Sequence, residues 1–141
     1  MKPSDIFGPV FATMLLTLAV WVLMYLRRRN FVTANGIRLR DIATPESLAQ
    51  QLDEYARNPG NNFRNLCEIP MLFYALCGFL FINNRVDVIY LSLGWVFFAF
   101  RVLHSYVQCT SNRVSRRLMF YALSSFAFWA MMLRAAVQFF F

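Results

Sequence analysis

At 141 residues, of which 59% are hydrophobic and 18% aromatic, the chain is more apolar than a soluble domain, whose apolar share is about 45–50%. That composition excludes an ordinary soluble protein and points to an integral membrane protein. The 14 Lys and Arg against 7 Asp and Glu would suggest nucleic acid in a soluble chain, but here the surplus lies between apolar runs, so it reads as topology and no nucleic-acid partner is expected.

Four apolar runs are long enough for a hydrocarbon core, which takes about 20 helical residues: Ile6–Leu26, Phe63–Ile82, Val86–Val107 and Leu118–Phe141. They predict an all-α, antiparallel four-helix transmembrane bundle in one domain, residues 1–141. The first run has its arginines after the apolar stretch and no small-residue cleavage site, so it is expected to stay as a span rather than leave as a secretory signal. Arg27, Arg28, Arg29, Arg38, Arg40 and Arg57 lie between runs one and two, and Arg113, Arg116 and Arg117 between runs three and four. Only Lys2 and Arg85 sit at the other ends. The positive-inside rule therefore puts both basic loops, the long one spanning residues 27–60, in the cytoplasm and both termini opposite.

In chain order, Ser4 and Asp5 are placed to cap the first run, and Gly8-Pro9 falls in its first turns, where a missing N–H does least harm. Arg27-Arg28-Arg29 closes the run as an interfacial anchor on lipid headgroups, with room for one arginine to turn inward. Thr44-Pro45-Glu46, followed by Leu48, Leu52, Tyr55 and Ala56, predicts a short amphipathic helix with a capped start. Asn58-Pro59-Gly60 should end it, and the loop should cover the ends of the spans.

Run two opens with a polar wall. As a helix it places Asn61, Arg64, Asn65 and Glu68 on one face, and Pro70 should kink it by removing the bond to Leu66. An Arg or a carboxylate at mid-membrane costs at least about 2.5–3.5 kcal/mol, so these groups should face protein, water or a ligand. Asn83-Asn84 predicts a tight turn into Arg85 and Asp87. Run three is apolar until Arg101 and His104, one turn apart, a pair that calls for an anionic neighbour.

At about 1.5 Å per residue, Glu68 and Arg101 lie roughly 10 and 12 Å in from the basic side of adjacent antiparallel runs. Arg117 and Tyr121 open run four on that side. Arg64, Asn65, Glu68, Arg101, His104, Arg117 and Tyr121 are thus expected to converge, forming a cationic site for a small anionic ligand whose reaction partner arrives from the lipid. Arg134 lies toward the far side, where snorkelling or pairing between helices accounts for it. Cys67, Cys77 and Cys109 sit within or at the end of apolar runs without metal-ligand spacing, so neither a disulfide framework nor a metal is expected.

The ordered set Arg64-Asn65-x-x-Glu68-x-Pro70, Arg101-x-x-His104 and Asn112-Arg113-x-x-x-Arg117-x-x-x-Tyr121, in a four-span chain, resembles the MAPEG family, the membrane-associated proteins in eicosanoid and glutathione metabolism, and its bacterial members most of all. The resemblance implies a left-handed bundle assembled as a homotrimer in a bacterial inner membrane, with glutathione as co-substrate and a hydrophobic small molecule or lipid as its partner. It implies that Arg117 stabilises the thiolate, that Glu68 receives the α-amino group, and that Arg64, Asn65, Arg101, His104 and Tyr121 line the glutathione site. A first-span arginine for a glutathione carboxylate is implied among the three of the cluster, with Arg28 and Arg29 the candidates. Asn61, Gln108 and Leu118 depart from residues common in the family's enzymes. The activity implied is a glutathione transferase or peroxidase, with a non-catalytic lipid-binding or scaffold protein of the same fold as the alternative.

Overall fold

The structure, a computed structural model, describes residues 2–140, the side chains of Leu39 and Ala49 apart. Phe141, where the fourth predicted run ends, lies outside the described residues. Six α-helices follow in order: α1 (Phe7–Ala34), α2 (Pro45–Gln51), α3 (Glu54–Leu66), α4 (Ile69–Ile82), α5 (Val88–Cys109) and α6 (Val114–Phe140). Four segments, Pro3–Ala34, Glu54–Ile82, Val88–Cys109 and Val114–Phe140, are long and apolar enough to cross a membrane. The protein is an integral, multi-pass, all-α membrane protein, as the composition predicts.

α1 outlasts its apolar run by eight residues, because the arginines after Leu26 are good helix formers and no glycine or proline interrupts the chain before Gly36. It stops where Gly36 takes φ +61°, a left-handed position that glycine adopts without strain. Thr44 caps α2, accepting from Ser47 N at 3.2 Å, with Pro45 in the first turn. The expected single amphipathic helix is two helices: Leu52 is extended, and Asp53 starts α3 by accepting from Ala56 N at 2.8 Å. Tyr55 and Ala56 therefore belong to α3.

Asn58-Pro59-Gly60 does not end a helix as expected, for α3 runs through Pro59. A proline inside a helix strands the carbonyl four residues back, here that of Tyr55. Arg27 supplies the missing donor, its Nη1 reaching Tyr55 O at 3.2 Å and Cys109 O, at the end of α5, at 2.9 Å. The guanidinium also stacks 4.0 Å from the centroid of the Tyr55 ring. This is the inward-turning arginine of the cluster, and it fastens α1 to α3 and α5.

The second span breaks instead of merely kinking. Leu66 ends α3, Cys67 N returns to Phe63 O and Arg64 O, and Glu68 takes φ −97°, ψ −99° before α4 starts with Pro70 in its first turn. Pro70 has no N–H to continue the ladder, which makes it a good first-turn residue for a new helix.

α5 packs along α6 and against α1 and α3, while α4 closes the bundle between α1 and α6. The apolar core gathers Ile6 and Val10 of the first span, Phe73, Cys77 and Leu80 of α4, Tyr90 and Phe97 of α5, and Phe128 and Met131 of α6. Phe73 and Phe97 stack with centroids 4.4 Å apart. Gly94 lets α5 approach α1, since a Cβ there would stand 3.0 Å from Pro9 Cγ. Phe11, Leu15, Leu18, Trp21 and Leu133 are exposed, the outward apolar surface that lipid contact requires.

At the end opposite the basic connections, Asn84 at φ +51° turns the chain and Asp87 caps α5 through Tyr90 N. Arg134 pairs with Asp87 through both guanidinium ends, at 3.0 and 2.5 Å, and stacks 4.3 Å from the Tyr90 ring centroid. Of the two roles expected for Arg134, pairing between helices is the one the structure shows. The Arg134 hydrogen bond holds the Asp87 carboxyl below its ordinary value.

Candidate functional site

α3 presents two polar faces. Asn58 and Asn62, 7% and 0% exposed, turn into the bundle, where Asn62 accepts from Ser105 Oγ at 3.3 Å and donates to Cys109 Sγ at 3.5 Å. Asn61, Arg64 and Asn65 turn the other way and open onto a cleft of about 420 Å³, which α5 completes with His104 and Gln108 and α6 with Arg117, Leu118 and Tyr121. A volume of this size is that of a small-molecule site. Two arginines line it and no carboxylate does.

The polar groups of the cleft are fixed by short contacts. Asn65 Nδ2 donates to Gln108 Oε1 at 3.1 Å, tying α3 to α5. His104 Nδ1 lies 3.0 Å from Arg117 O. A carbonyl only accepts, so Nδ1 carries the proton, and Nε2 is buried without a hydrogen-bond partner among the described residues. The His104 ring lies 5.6 Å from that of Tyr121. Half-buried Arg117 donates from Nη1 to Asn112 Oδ1 at 2.8 Å.

Behind Tyr121 stands Arg101, 0% exposed, the largest fully buried side chain among the described residues. Its guanidinium lies 4.8 Å from the Tyr121 ring centroid and 5.2 Å from that of Phe97, yet Nε, Nη1 and Nη2 have no hydrogen-bond partner among the described residues. The ion pairs there are Arg38 and Arg40 with Asp41, and Arg134 with Asp87. The anionic neighbour that Arg101 and His104 call for is not a carboxylate of these. A cleft with two arginines on its walls and a desolvated third behind them is suited to an anion.

A smaller cavity of about 170 Å³ adjoins the cleft, sharing Asn61 and Arg64. Arg28 and Arg57 line it, and Pro45, Leu48 and Leu52 wall it from the α2 side. Arg28 reaches over Gly60, where any Cβ would overlap Nη2.

The structure thus brings Arg64, Asn65, His104, Arg117 and Tyr121 of the expected set into one cleft, with Arg101 against its Tyr121 wall and Arg28 in the cavity beside it. Arg29 is exposed and lines neither. Successive helical residues point about 100° apart, so with Arg27 turned to α3 and α5 and Arg28 to Gly60, Arg29 is carried outside. Glu68 is exposed in the break after α3 and does not line the cleft. The expected face of Asn61, Arg64, Asn65 and Glu68 ends at Asn65, because the helix that would carry Glu68 ends at Leu66. Its depth match with Arg101 produces no ion pair.

Besides Asn61 of the polar wall, three residues outside the expected set serve this region. Gln108 follows His104 by four on α5, a spacing that signals a shared face, and Leu118 adjoins Arg117. Asn112, the first residue of the motif that also contains Arg117, holds Arg117 from five residues away across a turn, a role that helical periodicity does not announce.

These helices and this cleft define a polytopic helical membrane protein with a basic cleft set into one end of its bundle. The family model for the MAPEG family matches residues 6–137. The chain belongs to that family and is a membrane protein of the glutathione and eicosanoid metabolism type. No curated protein and no solved structure matches it.

Proposed function

We propose that the protein is a glutathione-dependent transferase or peroxidase acting on hydrophobic electrophiles or lipid hydroperoxides dissolved in the bilayer. The observation that carries this reading is Arg101, a buried guanidinium without a hydrogen-bond partner among the described residues, beside a carboxylate-free cleft that Arg64 and Arg117 line. A peptide with two carboxylates and an ionisable thiol supplies the negative charge that such a cluster lacks. Arg64, Asn65, His104 and Tyr121 receive its polar groups, Arg101 adds charge from behind Tyr121, Arg28 takes a carboxylate in the adjoining cavity, and Glu68 its ammonium at the exposed edge. Arg29 has no position that supports a contact.

The catalytic residue in this reading is Arg117. A free thiol has a pKa of about 8.5. A fixed cation in a water-poor site favours the thiolate, the form that attacks. In transfer, the sulfur lone pair forms the new S–C bond, the leaving group departs with its bonding pair, and the thiol proton goes to water. With a hydroperoxide, the thiolate attacks the terminal oxygen, the O–O bond breaks to release an alcohol after protonation, and a second glutathione reduces the sulfenic acid to give the disulfide and water.

Three copies of the chain, with both basic loops cytoplasmic, form the working unit in this reading. Purified protein in mild detergent should conjugate an aryl halide or reduce a lipid hydroperoxide with glutathione, and native mass measurement should give a trimer. Arg117→Ala should abolish the ultraviolet thiolate absorbance and lower kcat by about 10²–10³, whereas Glu68→Ala should chiefly raise KM. Absence of both activities, together with no thermal shift on adding glutathione, would leave the non-catalytic lipid-binding or scaffold reading in its place.

A further inference from the structure

Arg117 is held at two points. His104 Nδ1 donates to its backbone carbonyl, and Asn112 Oδ1 accepts from its Nη1 at 2.8 Å. Asn112 sits at φ +46°, in the left-handed region that asparagine tolerates better than most side chains. Its N–H returns to Val107 O at 2.8 Å, which fixes the backbone that presents the side chain. Chemistry dictates the orientation of its amide: a guanidinium only donates, so the oxygen faces Arg117 and the NH2 faces away. There it donates to Asn58 Oδ1 at 3.4 Å. Asn58 belongs to α3, three residues before Asn61 on the cleft wall. The row Asn58, Asn112, Arg117 therefore ties α3, the α5–α6 connection and α6 into one arrangement.

We propose that Asn112 is a positioning residue for Arg117, a neutral acceptor that fixes the guanidinium toward the cleft without quenching its charge. The proposal rests on Arg117 stabilising the thiolate as described above. Neutrality matters because a carboxylate at position 112 would hold Arg117 harder and cancel the charge that ionises the thiol. The other titratable groups around the cleft are Arg64 from α3, Arg101 and His104 from α5, and Tyr121 from α6, none of them a carboxylate, and the exposed Glu68 in the break after α3 makes no ion pair with Arg117. An arginine left to sample several rotamers loses the fixed geometry on which electrostatic catalysis depends, and a misplacement of about 1 Å can cost about 10²-fold in rate.

Two variants of the full-length protein in detergent test the proposal. Asn112→Gly accepts the positive φ and removes the oxygen. It should lower kcat by about 10- to 100-fold, the usual effect of losing a supporting hydrogen bond at a reactive centre, leave KM for glutathione little changed, and raise the pH at which the thiolate absorbance of bound glutathione appears. Asn112→Asp keeps shape and backbone preference and adds charge. It gives up the long donation to Asn58 Oδ1 but keeps the acceptor for Arg117, so it should still fold and bind glutathione and should also raise that pH, because the hydrogen bond to Arg117 survives while the cation is neutralised. An absorbance titration left unmoved by Asn112→Asp would show that position 112 does not act on the cation that ionises the thiol, and that result overturns the proposal even if Asn112→Gly fails to fold. Normal turnover and titration in both variants, with both lost in Arg117→Ala, overturns the role of Asn112 alone. Normal behaviour in all three overturns the assignment of Arg117 with it.

Discussion

Replacing Arg101 with methionine should make the ligand-free protein more stable and its response to glutathione weaker. The guanidinium is wholly buried and its three nitrogens have no hydrogen-bond partner among the described residues. Each unmatched buried donor costs about 1–3 kcal/mol. Against this stand the rings of Phe97 and Tyr121, 5.2 and 4.8 Å away, each worth about 1–2 kcal/mol as a desolvated cation–π contact. At central values the unmatched donors outweigh the rings by about 3 kcal/mol. Methionine fills much of the same volume with a flexible, apolar chain, so Arg101→Met should raise stability by about 1–3 kcal/mol, within the range seen when buried charges give way to apolar groups. Unfolding by heat and by denaturant in one mild detergent, with and without glutathione, measures both effects. The ligand-free midpoint should rise and the glutathione-induced shift should shrink or vanish. A ligand-free protein that loses 1 kcal/mol or more, on the order of one lost hydrogen bond, would show that Arg101 has a partner in the assembled protein and would refute the reasoning.

Three further outcomes are expected. Gly94→Ala places a Cβ 3.0 Å from the rigid Pro9 ring and 3.6 Å from Phe73 Cζ, so it should cost about 1–3 kcal/mol as an overpacked contact, read by denaturant unfolding. Gly60→Ala meets only the flexible end of Arg28, and alanine gains up to about 1 kcal/mol over glycine in a helix. Its stability should hold or rise while KM for glutathione rises through displacement of Arg28, with kcat nearly unchanged. Because Arg134 holds the Asp87 carboxyl below its ordinary value, the pair stabilises the fold fully above the unfolded carboxylate pKa of about 4, and its contribution is lost as pH falls through the lower folded value. Asp87→Asn should therefore cost about 1 kcal/mol at neutral pH, as the pair is still partly exposed to solvent, and should flatten the acid side of the stability profile.

The spans were legible because twenty-odd apolar residues in a row leave a chain few alternatives, and the turn at Asn83-Asn84 because asparagine tolerates the positive φ that Asn84 adopts. Spacing on a helix also foretold the meeting of Arg64 and Asn65 with His104 and Arg117, since each pair of elements enters the bundle from the same end. What escaped were places where a remote group rewrites a local rule. Pro59 reads as a helix terminator, and becomes an interior residue only because Arg27, in another span, donates to the carbonyl that the proline frees. Glu68 reads as the next rung of the polar wall, and leaves it because α3 ends two residues earlier, ahead of Pro70. The hold of Asn112 on Arg117 depends on a backbone angle in a turn, which residue spacing does not encode.

The hydrogen bonds of Arg27 also impose an order of events on biosynthesis. Its two acceptors lie 28 and 82 residues further along the chain, so when the first span enters the bilayer the charge meant for them has nothing of its own to hold. Until Tyr55 of the second span arrives, water and lipid headgroups must serve Arg27, which keeps the basic end of α1 at the membrane surface. Only when the carbonyl of Cys109 arrives can the arginine draw three spans together. The closure of this end of the bundle thus waits on the end of α5, and a chain truncated before Cys109 would lack the contact that locks its first two spans to the third.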